Sequence, residues 1–318
     1  MAYIHVIHEN PAWLEPLADA LKRQALPWRD WFLDHGVFDL SRPPPEGVFY
    51  NRMSASSHTR DHRYAAELTA SVLAWLERHG RRVINGSRAL DLEISKARQY
   101  AALEAAGLRT PDTVLVAGKD LLVAAARQHF AAGAFILKPN RGGKGLGVQL
   151  FYTVDALGDY IAGLDYEPPV DGLHLLQEYV RAPVPLITRA EFIGGRFLYA
   201  VEVDTSKGFE LCPADACAVG DSSCPATDGP RAQFTIVDDI DAGLKRRYEA
   251  FLAANGIGVA GIEFVTDSAG AIYTYDVNTN TNYNPDAETR AGRSAMATLA
   301  CYLGAELERV SRLSNAAD

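Results

Sequence analysis

The segment FILKPNRGGKGLGVQLF, from Phe135 to Phe151, carries Lys138, Arg141 and Lys144 between apolar ends, with glycines at positions 142, 143, 145 and 147. Backbone without Cβ atoms wraps closely around an anion, and its N–H groups together with lysine ammonium groups suit a polyphosphate. Two familiar phosphate loops do not fit. A Walker loop needs Lys-Ser or Lys-Thr after Gly147, where this chain has Val148-Gln149. A dinucleotide fingerprint needs a glycine or alanine at Val148 or Leu150 and a helix directly after. A solvated surface hairpin is the alternative reading, since glycine-rich loops are common, and other groups must decide.

Those groups lie far downstream, in GVAGIEFVTDSAGAIYTYDVNTNTNYN. Val259 to Val265 and Ala271 to Val277 read as two antiparallel strands, with Ser268-Ala269 as the expected turn. Position 263 then pairs with 274, and Glu263 shares a sheet face with Thr274, Asp276 and Asn278, because side chains on one face recur every second residue. Glu263 and Asp276 become diagonal neighbours, roughly 7–8 Å apart at Cα. Such a cluster is costly unless a cation neutralises it, and all-oxygen donors suit magnesium, which keeps waters and substrate phosphates among its ligands. A solvent-facing acidic edge is the alternative, and a three-residue turn would reverse the parity.

The elements that must position these groups alternate between strand and helix. Ala2 to Ile7 reads as a strand and Ala12 to Leu26 as a helix, with Trp28, Trp31 and Phe32 packing the next connection. A strand from Gly47 to Tyr50 delivers Asn51 and Arg52 into a polar loop containing Ser56, Ser57 and His58. Loops after strands hold ligand groups in α/β units, although this one also reads as a solvated cap of a helix starting near Asp61. A helix from Tyr64 to Glu77, a strand from Arg82 to Asn85 and a helix from Leu92 to Ala106 follow, the last with Lys96 on its first turns. Beyond a helix from Asp120 to Ala131, Phe135 to Lys138 is a strand entering the glycine hairpin, and Val154 to Ala162 is a helix. Leu173 to Val180 is a strand, and Gly194-Gly195 joins strands Ile187 to Ile193 and Arg196 to Val203. Cys212 to Pro230 reads as a long loop.

Composition bounds the function. With 318 residues, 48% hydrophobic and 22% charged, the chain is expected to fold into two or three structural units. A formal charge of -9 argues against broad nucleic-acid or anionic-membrane surfaces, so neither partner is expected. The N-terminus lacks a basic leader, and the most apolar stretch, Leu121 to Leu137, is interrupted by Arg127, Gln128 and His129. Cys212, Cys217 and Cys224 are spaced too loosely for a zinc ribbon and have no nearby histidine, so reduced thiols in a cytoplasmic protein are expected.

Lys138 with its glycine hairpin, then Gln177-Glu178-Tyr179-Val180, then Glu263, Asp276 and Asn278, in that order, resembles the ATP-grasp superfamily. Within it the sequence is most similar to the glutathione-synthetase-like and protein-tail glutamate ligases. The resemblance implies a mixed α/β fold: a small parallel α/β substrate domain at 1–88, a central lobe with the hairpin at 89–177, and a metal-bearing lobe at 178–318, both lobes built on antiparallel sheets. It implies ATP and about two magnesium ions, with manganese as a substitute.

By the same resemblance Lys96, Lys138 and the Gly142 to Gly147 loop contact phosphates, and Gln177 to Val180 present backbone to adenine. Glu263, Asp276 and Asn278 hold metal, while Arg189 meets the phosphates or the reacting carboxylate. Asn51, Arg52, Ser56, Ser57, His58 and Asn280 would face the substrate. The implied reaction joins a small-molecule or peptide carboxylate to an amine through an acyl phosphate, with homo-oligomerisation left open. A phosphotransferase on the same grasp and a non-catalytic nucleotide binder are the other readings. Three departures stand out: no acidic residue from Arg181 to Thr188 for the ribose, exchanged Glu and Asp at the metal positions, and the polar run Asn278-Thr279-Asn280-Thr281-Asn282. No general base stands out beyond His58 and Glu202.

Overall fold

Apolar residues near the N-terminus build β1 (Tyr3–His8), and α1 (Pro11–Arg23) follows once the Asn10 side chain caps the Trp13 N–H. The computed structural model describes residues 2–143, 145–205 and 234–317. Lys144 and the expected long loop from Cys212 to Pro230, with Cys217 and Cys224, lie outside the described residues. β2 (Trp28–Phe32), β3 (Gly47–Asn51), α2 (Ala65–Arg78) and β4 (Arg82–Ile84) complete a parallel sheet of order β2-β1-β3-β4. Trp28, Trp31 and Phe32 therefore belong to an edge strand rather than a connection. Aromatic residues favour extended backbone, and the exposed Arg29 and Asp30 keep the edge polar. The helix expected from Asp61 starts only at Ala65, because Ser57–Arg60 forms a 3-10 turn that Asp61 closes at φ 65°.

The helix expected from Leu92 to Ala106 is two helices, α3 (Ser87–Glu93) and α4 (Lys96–Ala105). Ser95 takes extended backbone between them and caps the Arg98 N–H, so Lys96 is the first residue of its own helix rather than a residue in the second turn of a longer one. β5 (Thr113–Ala117), α5 (Leu122–His129), β6 (Phe135–Pro139), β7 (Gln149–Phe151), α6 (Val154–Ala162) and β8 (Leu173–Glu178) follow. Their strands form an antiparallel sheet of order β5-β8-β6-β7, in which β5, too short to stand out in the sequence, pairs with β8.

The last third contributes β9 (Leu186–Ile193), β10 (Arg196–Asp204), β11 (Phe234–Val237), α7 (Ala242–Ala254), β12 (Val259–Thr266), β13 (Ile272–Asn278), α8 (Pro285–Ala291) and α9 (Ala295–Ala317). Its antiparallel sheet has the order β11-β10-β9-β12-β13. Gly194 and Gly195 turn β9 into β10 with φ of 64° and 70°, both left-handed, as a two-residue hairpin requires. One face of this sheet, including Phe192, Ile262 and Phe264, packs on Tyr248 and Phe251 of α7 and Leu103 of α4. That burial leaves the opposite face for chemistry. Among the described residues no helix is long and apolar enough to cross a membrane.

Asn85 fastens the first sheet to the last. Its Oδ1 accepts from the Gly258 and Val259 N–H groups at 2.9 and 3.1 Å, and its Nδ2 donates to Val259 and Thr279 carbonyls at 2.8 and 2.9 Å. Its own carbonyl accepts from Asn51 Nδ2, and its φ of 56° is one that asparagine tolerates better than alanine. Asn85→Ala strands several buried backbone groups, so it should cost about 3 kcal/mol or more, read as a lowered urea midpoint. An unchanged midpoint would show that these bonds do not hold the units together.

Candidate active site

Two rungs of the last sheet, two residues apart along each strand and therefore on one face, supply the charged groups. One rung runs Arg189–Glu263–Asp276 across β9, β12 and β13; the other runs Glu191–Gly261–Asn278. The hairpin that places them differs from the expected one. Thr266 pairs with Ile272, so residues 267–271 form the turn, and Phe264 rather than Glu263 pairs with Thr274. Thr274 therefore belongs to the packed face, where its hydroxyl lies 2.8 Å from that of Tyr248.

Continued regularly, this register would set Glu263 opposite Tyr275 and send Asp276 to the wrong side. A bulge prevents that. The register shifts between Glu263 and Phe264, so Glu263 faces Asp276 directly, and Tyr275 shares the cleft wall with them. The two carboxylates come together as expected, though as direct rather than diagonal neighbours.

Helix α4 fixes the bulged strand. Gln99 exchanges two 2.8 Å bonds with the backbone N–H and carbonyl of Val277, filling the exposed edge of β13 as another strand would. Tyr100 donates its hydroxyl to the Tyr275 carbonyl at 2.8 Å. Lys96, one turn earlier, then reaches Asp276 Oδ1 at 2.6 Å. Burial alone would lower the Lys96 ammonium, but the Asp276, Glu263 and Glu93 carboxylates outweigh it and hold the group above its ordinary value. Glu263 is raised by burial and by the Asp276 charge beside it.

Lys138 sits on β6 across the cleft, with Gln177 Oε1 at 2.8 Å and the Tyr100 hydroxyl as its partners. Neither partner is an anion. Burial, then the Lys96 charge, pull its ammonium down to about 7. A buried lysine with neutral partners is a vacant cation for an incoming anion to pair with.

Lys96, Lys138, Gly142, Gly143, Gly145, Gln177, Glu178, Tyr179, Val180, Arg189, Glu263, Asp276, Asn278, Asn280 and Ser56 all line one cleft of ≈ 440 Å³. Within the glycine hairpin Gly145 has φ 74°, a left-handed value, and a Cβ on Gly142 would lie 3.1 Å from Pro139. Gly147, at the same φ, packs on Pro139 and does not line the cleft. Arg141, at the base of the hairpin, is buried and its guanidinium pairs with Glu67 at 2.8 Å. Past β8 the Glu178 and Tyr179 N–H groups donate to the Asp112 and Ala134 carbonyls. The Val180 N–H makes no hydrogen bond with the described residues, which leaves it for a flat heteroaromatic edge.

The structure separates the N-terminal candidates from the cleft, Ser56 excepted. Asn51 is spent on Asn85 and Met53, and Ser57 Oγ lies under Arg141. Arg52 is buried and donates to the Trp13 and Thr281 carbonyls and to Asn282 Oδ1. His58 is half-buried, and burial followed by the Arg141 charge holds its imidazole below the usual range.

Glu93 and Tyr275, which line the cleft, were not among the residues singled out in the sequence. Glu93 accepts the Thr279 N–H at 2.6 Å and the Ala55 N–H at 3.3 Å, tying the serine loop to the segment after Asn278. Its position three residues before Lys96 is the one local signal.

The donor set fits a magnesium ion that shares its shell with phosphate. Among the described residues no group of three His, Cys, Asp or Glu side chains is placed to hold a metal. Glu263 and Asp276 with the Asn278 amide oxygen would leave the remaining positions to water and phosphate oxygens, the pattern magnesium favours.

No family model matches the sequence, and no curated protein matches it. Solved structures do. The ATP-grasp ligase PsnB complexed with minimal precursor, Mg and ADP superposes with a TM-score of 0.66 at 17% identity, covering 96% of this chain and 97% of that one. A RimK domain ATP-grasp protein from Sphaerobacter thermophilus gives 0.64 at 15%, covering 95% and 99%. The D-cycloserine synthetase DcsG gives 0.62 at 20%, covering 96% and 99%. The chain has the ATP-grasp fold. In the ATP-grasp arrangement the sheet of β5 to β8 with its glycine hairpin and the sheet of β9 to β13 form the facing walls of the cleft.

Proposed function

We propose that this chain is an ATP-dependent carboxylate–amine ligase, forming an amide on an amino acid, small peptide or protein tail. One observation carries the reading: Lys96, Lys138, Arg189, Glu263, Asp276 and Asn278, dispersed from the first third of the sequence to the last, converge on one cleft. The three solved structures described above agree with it, being an ATP-grasp ligase complexed with a minimal precursor, a RimK domain protein and a D-cycloserine synthetase.

ATP and a carboxylate repel, so the first task of the site is to hold two anions together. Lys138 pairs with phosphate oxygens from the hairpin wall and Lys96 from the metal wall, while the Val180 backbone takes the adenine edge. Arg189 holds the reacting carboxylate in line with the γ-phosphate and offsets the charge that develops on transfer. Glu263, Asp276 and Asn278 would hold magnesium, which would supply further charge neutralisation on the phosphates. The hairpin of residues 142–147 closes over the phosphates and excludes water from the acyl phosphate. Asn280 Oδ1, buried in the wall without a hydrogen-bond partner among the described residues, accepts an N–H of the attacking amine.

The test is ADP release from magnesium ATP against panels of amino acids, dipeptides and glutamate-tailed peptides, with and without amines, followed by mass spectrometry. Release that requires both partners, with a product equal to their sum less one water, supports the ligase. A product that gains phosphate alone makes the protein a phosphotransferase.

A further inference from the structure

Arg189 is held by a closed hydrogen-bonded ring. Its Nε donates to Glu191 Oε1 at 2.7 Å, one terminal nitrogen donates to Thr281 Oγ1 at 2.6 Å, and Thr281 Oγ1 donates to Glu191 Oε2 at 2.9 Å. The other terminal nitrogen reaches Glu263 Oε1 at 3.4 Å. Arg189, Glu191 and Thr281 are all buried, at 5%, 1% and 0% exposure, and of the three only Arg189 lines the cleft. Glu191 stands two residues along β9, so both side chains project from the same face; Thr281 arrives from the segment that follows the metal amide Asn278.

A glycine makes room for the ring. Gly261 lies on β12, between Glu191 of β9 and Asn278 of β13. A Cβ there would come within 2.4 Å of Arg189 Nε and 2.8 Å of its Cζ, so the guanidinium lies flat where a side chain would otherwise stand. Those atoms belong to the head of the arginine, which is itself locked by two acceptors and has no easy retreat. The Thr281 carbonyl also accepts from Arg52 at 3.2 Å, which anchors the threonine from behind.

We infer that Glu191, Thr281 and Gly261 are positioning residues that aim Arg189 at the reacting carboxylate. Glu191 never touches substrate. Its two oxygens fix the rotation of the guanidinium plane, so that one terminal nitrogen points toward Glu263 and the phosphoryl-transfer position. A carboxylate at 191 rather than an amide matters because only it accepts from both Arg189 and Thr281 without offering a competing N–H. The inference rests on the ligase reading of Arg189, and the two are separable by experiment.

The test uses the full-length protein and the carboxylate–amine pair that gives the largest amine-dependent ADP release in the panel above. Misaiming a group by about 1 Å costs on the order of 10²-fold in rate, so E191Q and T281V should lose about that much in kcat while the KM for ATP stays within about twofold. T281S, which keeps the hydroxyl, should retain near-normal turnover, and G261A should resemble E191Q.

Nitrogen-15 spectra of arginine-labelled protein give a readout independent of turnover. The Nε–H signal of Arg189, assigned by its absence in R189K, should exchange slowly with water in the parent and quickly in E191Q. If R189A keeps full activity, the role of Arg189 itself is wrong. If R189A is inactive while folded E191Q and T281V match the parent in kcat and in Nε–H exchange, the ring does not position Arg189.

Discussion

Asp276→Asn should lower amine-dependent ADP release by about 10³-fold while leaving a folded protein. The substitution removes one of two facing carboxylates, and with it the charge on which magnesium and Lys96 both depend. Breaking a buried ion pair usually costs several kcal/mol, because the surviving charge is left without a partner. Two features here oppose that cost. Lys96 keeps the nearby Glu263 and Glu93 carboxylates, and Glu263 loses the like charge that raises it. The fold should therefore survive, with near-ultraviolet circular dichroism unchanged, although the magnesium needed for half-maximal activity rises steeply. A variant with parental turnover and parental magnesium dependence would remove Asp276 from the metal site.

Lys138→Met should weaken ATP binding by roughly 10- to 100-fold, the range expected when a charge-assisted bond to phosphate is lost. The same change should raise stability at neutral pH. In the folded chain the Lys138 ammonium falls from 10.5 to about 7, so between those values the unfolded chain binds the proton more readily. Stability contributed at this position thus increases as pH rises from about 7 toward 10.5, and at neutral pH the lysine is a liability that an apolar chain removes. Phosphate reverses the preference. Nucleotide binding near pH 8 should take up protons, measured by calorimetry in buffers of different ionisation enthalpy, and K138M should abolish that uptake. Equal proton uptake by parent and variant would assign the titration to another group.

The parts of this site legible in the sequence are those fixed by local chemistry. A glycine run flanked by extended residues gave the hairpin, and alternation along β12 and β13 brought Glu263, Asp276 and Asn278 to one face. The reason for that face was not legible. The turn is longer than expected, and the two carboxylates meet only because a bulge corrects it, stabilised by a Tyr100 hydroxyl from a helix remote in sequence. The break at Ser95 was hidden because helical periodicity continues across it; what opens the chain there is Asn140, whose side chain and carbonyl take the first N–H groups of α4.

Asn51 was misplaced for the same reason, since its partner Asn85 is unrelated to it in local pattern. Residue type announces that a side chain can meet a phosphate or a substrate. Only the packed neighbours decide whether it is already taken.

The Arg141–Glu67 pair has a mechanical consequence. Glu67 belongs to α2 and Arg141 to the base of the glycine hairpin, and Arg141 also donates to the Ala55 carbonyl in the serine loop. These bonds act as a strut between helix α2, the serine loop and the glycine hairpin. Under the proposed function, tilting either piece would drag the other, so covering a nucleotide and moving Ser56 would be a single stroke rather than two independent ones.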